Sequence, residues 1–355
     1  MGPTELTTED RCCGWRAAVA VAAALAALGW WGATRSTLWD RDEPKFARAA
    51  HEMAMSGNWL YPTYNGKLRP DKPILYYWLA ASAWRVMRSP ELAARFFSPL
   101  GGALAALMTY WMGRRLLGPR AGLWAMLVCG QTLLSLIECA LATADGLLLG
   151  FVALSVAPLA VSRGKALGWG GVALAWAGMA LAMLVKGPVG PAAALMALAA
   201  ALWLDRREGP AWRRLGLQLQ YGAAAVLALA VFLAWGLPAN RATGGELLAA
   251  GLGRHVVGRS VGAMESHGGH FLLFLPFYVP MLVCGFFPWI LYLPAGLWLA
   301  WRGRLGGVWG RALVLGWAAP FFMAMTLIQT KLPHYILPIW PALALAAGGA
   351  IAAAR

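Results

Sequence analysis

Long apolar stretches, parted by short basic turns, set the pattern of this chain. Runs of about 18 or more apolar residues recur, which is the length a helix needs to cross a bilayer. Ten spanning helices are predicted, at about 15–34, 92–113, 121–138, 143–161, 167–185, 188–204, 215–237, 271–300, 308–328 and 333–353. The predicted fold class is therefore an all-α polytopic membrane protein. As a single helix, 271–300 would be about 45 Å long against a hydrocarbon core of about 30 Å. Pro276, Pro280, Pro288 and Pro294 predict an interfacial piece followed by one crossing.

Two polar loops interrupt this pattern, 35–91 and 238–270. In the first, Pro44–Ser56 reads as an amphipathic helix, with Phe46, Ala50 and Met53 on one face and Lys45, Arg48 and Glu52 on another. Asp42 stands at its N-cap position with a proline following, and Gly57 ends it. Pro73–Met87 reads as a second helix, rich in Tyr and Trp and suited to the head-group level. The residues between carry the Pro, Asn and Gly of an ordered turn region.

Composition agrees with the pattern. The chain is 60% hydrophobic and 13% charged, against about 25% charged in a soluble domain. A net charge of +15, from 30 basic and 15 acidic residues, would suggest nucleic acid in a soluble protein. Here the basic residues sit in short loops, where they set topology and meet anionic head groups of membrane lipids, so no nucleic-acid partner is expected. Cytoplasmic loops holding Arg114, Arg115 and Arg120, Arg206, Arg207, Arg213 and Arg214, then Arg302, Arg304 and Arg311 put both termini inside. The first outside loop opposes that rule with Arg41, Lys45, Arg48, Lys67, Arg69 and Lys72, so its charges are expected to serve another purpose. The five cysteines have no metal-ligand spacing and read as small hydrophobes.

Candidate chemistry gathers on the outside. Lys72, Lys186 and Lys331 each stand one or two residues before a proline that opens a helix. A helix start carries unpaired N–H groups and partial positive charge, so each is a local site for an anion such as a lipid phosphate. Asp42, Asp71 and Asp145 precede predicted helices, where capping alone would account for them. Glu138 and Asp145 flank so short a turn that they are placed near membrane depth, where a charge is costly and usually functional. His255, His267 and His270 cluster in the second loop, and His255 and His267 with Asp71 could ligate a divalent metal, zinc or magnesium.

The DEP…EMAMSGNWLYPTYNGKLRPDKPILYYW block, the MLVKGPVG turn and the TKLPHYILP segment, in that order from Trp39 to Pro341, resemble the polyprenyl-phosphate-sugar-dependent glycosyltransferases of the GT-C superfamily. The resemblance is to the group of the aminoarabinose lipid A transferases, with the protein O-mannosyltransferases more distant. It implies a GT-C-type bundle of about ten transmembrane helices, with interfacial juxtamembrane helices in the first extracytoplasmic loop. It further implies an undecaprenyl-phosphate-linked sugar donor, lipid A or another envelope acceptor, and a periplasmic active site in a bacterial inner membrane. On it, Asp42 corresponds to the essential acid, with Glu43 in support, and Asp145 to the acid opening the fourth helix. Lys72 corresponds to the lysine that holds the donor phosphate, and Lys186, His255, Arg259 and Lys331 to polar positions near the donor.

Asp71 replaces the glutamate of the group's EKP motif. The aminoarabinose transferases also continue with more helices and an extracytoplasmic domain, whereas residues 1–355 are expected to hold the transmembrane glycosyltransferase domain alone. The rival from another class is a lipid or sugar transporter or flippase. That would distribute ionisable groups through the mid-membrane, and here they gather at one face.

Overall fold

The computed structural model describes residues 8–39, 42–206, 211–251 and 274–354. Each of the ten apolar stretches is mainly helical over its described residues. Not all are single crossings, however. Among the described residues, seven helices are long and apolar enough to span a membrane, or eight if one bent pair counts as a span. They begin with α1 (Thr8–Ala33), which the loop 35–91 follows. A six-residue α4 (Pro90–Arg95) leads into α5 (Phe97–Leu116), and the two form one span.

The stretch predicted at 121–138 divides into α6 (Pro119–Gln131) and α7 (Leu133–Glu138), parted at Thr132. The Thr132 hydroxyl accepts from Ser135 N–H and so opens a new helix there. Next come α8 (Asp145–Ser162), α9 (Trp169–Lys186), the short α10 (Val189–Asp205) and α11 (Ala211–Ala242). The proline-rich stretch is a broken pair, Leu275–Gly285 and Trp289–Trp301, bent by 108°. Gly307–Leu327 and Pro333–Ala353 complete the bundle.

The core is formed by α8 and Pro333–Ala353, both buried along nearly their whole length. Where no hydrophobic force drives helices together in lipid, small residues let backbones touch. Gly150 on α8 is such a point, since a Cβ there would meet Gly101 O of α5 at 2.5 Å. Gly178 does the same for α9 against the Ser155 backbone of α8. These contacts hold α5, α8 and α9 side by side, and with them the ends that carry Asp145 and Lys186.

The first loop folds as its pattern predicts. Its helix α2 (Glu43–Ser56) buries Phe46, Ala50 and Met53. Gly57 ends it with φ 71°, donating its N–H to Met53 O. A small hairpin follows, β1 (Thr63–Tyr64) and β2 (Lys67–Leu68), pairing Thr63 with Leu68 and Tyr64 with Lys67. Asn65 and Gly66 both take positive φ, 52° and 74°, as a two-residue turn of this hand requires. The second helix, α3 (Leu75–Trp84), is shorter than predicted and packs its tyrosines on α2, with Phe46 and Tyr76 ring centroids 4.9 Å apart. Trp235 of α11 donates to Leu60 O at 2.8 Å and docks the loop on the bundle.

Candidate active site

The antiparallel run of α8 and α9 brings the start of one beside the end of the other. There Lys186 donates directly to Asp145 Oδ1, both side chains being buried. Asp145 occupies the first turn of α8 and does not cap it; its carboxylate is taken up by the lysine instead. Lys72 lies close enough to act on Asp145 electrostatically. Tyr335 stacks under the ammonium of Lys186, 5.0 Å from ring centre to Nζ. Lys72, Lys186 and Tyr335 all line a cavity of about 190 Å³ whose other walls are largely apolar, including Leu148 of α8 and Trp235 of α11. Two cations at the rim of an apolar slot suit an anion attached to a hydrocarbon chain.

Sequence reasoning missed one member of this cluster. His334 approaches both acids, with Nδ1 3.6 Å from Glu138 Oε1 and Nε2 3.9 Å from Asp145 Oδ2. Its segment, TKLPHYILP, carries the resemblance and the lysine before a proline, but nothing local says that His334 meets α7 and α8. Glu138, Asp145 and His334 each offer a ligand atom, all within 4.8 Å of one another. Two carboxylates and an imidazole fit a divalent ion as a donor set, yet Lys186 already places positive charge on Asp145. Of the predicted metal residues, only Asp71 is among the described residues. Asp71 faces Arg69, with Oδ2 3.5 Å from Nη2, and His255 and His267 lie outside the described residues. Arg259 lies outside them as well.

Lys331 does not join the other two lysines. Its ammonium donates to Ile328 O at 2.7 Å and to Thr326 O, closing off the end of Gly307–Leu327. Burial pushes its pKa down. The three lysines share a sequence grammar but not a place, because the side chain at 331 turns back on its own chain.

Asp42 sits at the N-cap position of α2 but makes no side-chain cap hydrogen bond. Its side chain is half-exposed and lies 3.5 Å from Lys45 Nζ. Its charge also acts on Arg69 and Tyr77. Arg69 is buried, donates to Tyr77 OH at 3.0 Å and lies 4.9 Å over the Phe46 ring. Burial works against its charge, and Tyr77, Asp71 and Asp42 outweigh that, so its pKa is raised. Burial likewise pushes the Tyr77 phenol up to about 12. A polar strip therefore runs from Asp42 through Arg69 and Asp71 to Lys72 and the cavity.

Glu43 has a different position from its neighbour. It is wholly buried and grips Arg95 in a bidentate pair, 2.7 and 2.6 Å. Glu43 does not line the cavity.

An all-helical, multi-pass bundle with acids and lysines collected at one end is the architecture of the GT-C glycosyltransferases. This membrane protein has that fold. Its sequence is similar to those of aminoarabinose transferases. It is 32% identical over 329 residues to the undecaprenyl phosphate-alpha-4-amino-4-deoxy-L-arabinose arabinosyl transferase of Pseudomonas aeruginosa, covering 88% of this chain and 56% of that one. To the enzyme of that name from Edwardsiella ictaluri it is 29% identical over 320 residues, 88% of this chain and 55% of the relative. Among solved structures it resembles ArnT from Cupriavidus metallidurans bound to undecaprenyl phosphate. The identity is 25% and the TM-score 0.80, with 95% of this chain and 60% of that one covered. Residues 71–236 match the family model described as dolichyl-phosphate-mannose-protein mannosyltransferase. The chain spans just over half the length of the curated relatives it matches.

Proposed function

We propose that this protein is a glycosyltransferase of a bacterial inner membrane, moving a sugar from undecaprenyl phosphate to lipid A or another envelope acceptor on the periplasmic face. The observation that carries this reading is the pairing of Lys186 with Asp145 beside Lys72, at the rim of an apolar cavity. The donor phosphate would sit against the two lysines and its lipid chain would occupy the cavity. Asp42 would take or orient the proton of the acceptor hydroxyl. That oxygen would attack the anomeric carbon with inversion, the carbon–oxygen bond to phosphate would break, and the lipid phosphate would leave with its added charge held by the lysines. Arg259 and His255 would add to the donor site from the second loop. Lys331 would act at a distance, by holding the segment before His334 and Tyr335.

A divalent cation, where one binds, would be held by Glu138, Asp145 and His334. The lysines already supply the charge that a leaving phosphate requires, so turnover is expected to survive dialysis against EDTA. The test is transfer of labelled sugar from its undecaprenyl phosphate to lipid A by the purified chain. Asp42→Asn and Lys72→Ala are each expected to lower turnover by about 10²-fold or more in protein that still folds. Undiminished transfer by both would overturn the site, and loss of transfer in EDTA would overturn the metal-free reading.

A further inference from the structure

Resting on that reading, we infer that Arg95 is a positioning residue, which acts through Glu43 to hold the segments bearing Asp42 and Asp145 in register. Arg95 ends α4, at the mouth of the second span, and its residue is 1% exposed. Nε and Nη2 bind the two oxygens of Glu43. Nη1 donates to Ala33 O at 3.2 Å, Ser36 O at 2.8 Å and Ser36 Oγ at 3.0 Å, and Nη2 donates to Thr37 O at 2.9 Å. All the donor groups of the guanidinium are thus engaged, four of these bonds reaching the end of α1 and the turn after it.

Glu43 passes the constraint on. Its Oε2 also accepts from Trp39 N–H at 3.2 Å, and Oε1 from Ala142 N–H at 2.6 Å. With four donors on two oxygens, this carboxylate has no acceptor position left for a substrate proton. It is adjacent to Asp42 in sequence, and Ala142 is three residues before Asp145. One buried ion pair thus joins the end of the first span, the start of α2, the start of the second span and the turn into α8. A buried ion pair adds little net stability over apolar residues of the same size. What this one adds is a fixed geometry for backbone groups from two distant stretches of chain, one leading to Asp42 and one to Asp145. Lysine could supply the charge at 95 but not the planar fork.

The experiment compares the wild-type chain with Arg95→Lys and Glu43→Gln, each in detergent and in nanodiscs. The Gln amide puts a donor where the carboxylate accepts, at the same size. Both variants are expected to keep the wild-type KM for the lipid-linked donor within about twofold, since the lysines are untouched. They are expected to lose about 10²-fold in kcat, as a small misplacement of reacting groups does. Hydrogen exchange supplies a readout that needs no turnover. The Trp39 and Ala142 amides should exchange slowly in the wild type and faster in the Gln variant.

A wild type inactive in transfer but slow at both amides would overturn the proposed reaction and leave the latch standing. Fast exchange at those amides in the wild type would overturn the latch, even if neither variant could be folded. Folded variants with lower thermal midpoints and unchanged kcat would show a merely structural pair and would also overturn the inference.

Discussion

Asp145 and Glu43 show how differently two buried carboxylates can be used in one molecule. Both are buried acids with a basic partner. Glu43 is saturated by Arg95 and two backbone amides, whereas Asp145 keeps Oδ2 turned towards His334. Removing the lysine from Asp145 would leave a buried charge short of its main partner, which costs about 3–5 kcal/mol. Lys186→Met is therefore expected to lower the thermal midpoint of the purified protein, and Asp145→Asn added to it to recover most of the loss. An unchanged midpoint in the single variant would mean that the pair is solvated in the membrane-bound protein.

At the scale of the element, the first loop is held by a carboxylate far from the proposed chemistry. Glu52 of α2 accepts from Arg48 Nε and Thr63 Oγ1, both at 2.8 Å, and from the Asn65 and Gly66 amides. Burial raises its pKa, but the hydrogen bonds from Thr63, Gly66, Arg48 and Asn65 prevail, so it lies below the ordinary 4.5. A group whose folded pKa is depressed stabilises fully above its unfolded value and loses that contribution as pH falls through the folded one. Glu52→Gln should thus loosen the hairpin at pH 7, read as faster exchange of the Asn65 and Gly66 amides. The difference between variant and wild type should close as the pH falls through the lowered folded value. A difference that persisted in acid would assign the effect to shape rather than charge.

For the whole molecule, the proposed site depends on α5, α8 and α9 packing at fixed depth. α5 and α8 touch backbone to backbone at Gly150 and Gly101, so the start of α8 cannot slide relative to the second span. Gly150→Val would force them apart, an overpacking cost of about 1–3 kcal/mol. The expected result is a lower thermal midpoint together with reduced transfer, although the substituted residue lies over a turn from Asp145. Valine tolerated at 150 without change in either would show that this contact does not set the register.

Much of this protein could be read from sequence because hydrophobic length and loop charge are local properties. The membrane class, the ten apolar stretches, the amphipathic α2 with Gly57 at its end, and the pairing of a polar first loop with lysines at helix ends all follow from residues near one another in the chain. What the chain pattern could not decide was which of those stretches cross singly, since Thr132 and the prolines of 271–300 break helices by capping and bending. Nor could it separate the three lysines: Lys186 finds Asp145 across two helices, while Lys331 turns onto carbonyls of its own segment. Arg95 falls within the predicted span 92–113 and carries no local signal; the fold puts Glu43 against it, 52 residues away. Periodicity and composition determine what kind of surface each helix has. Only tertiary packing decides which buried charges meet, because that depends on the relative depth and rotation of helices distant in sequence.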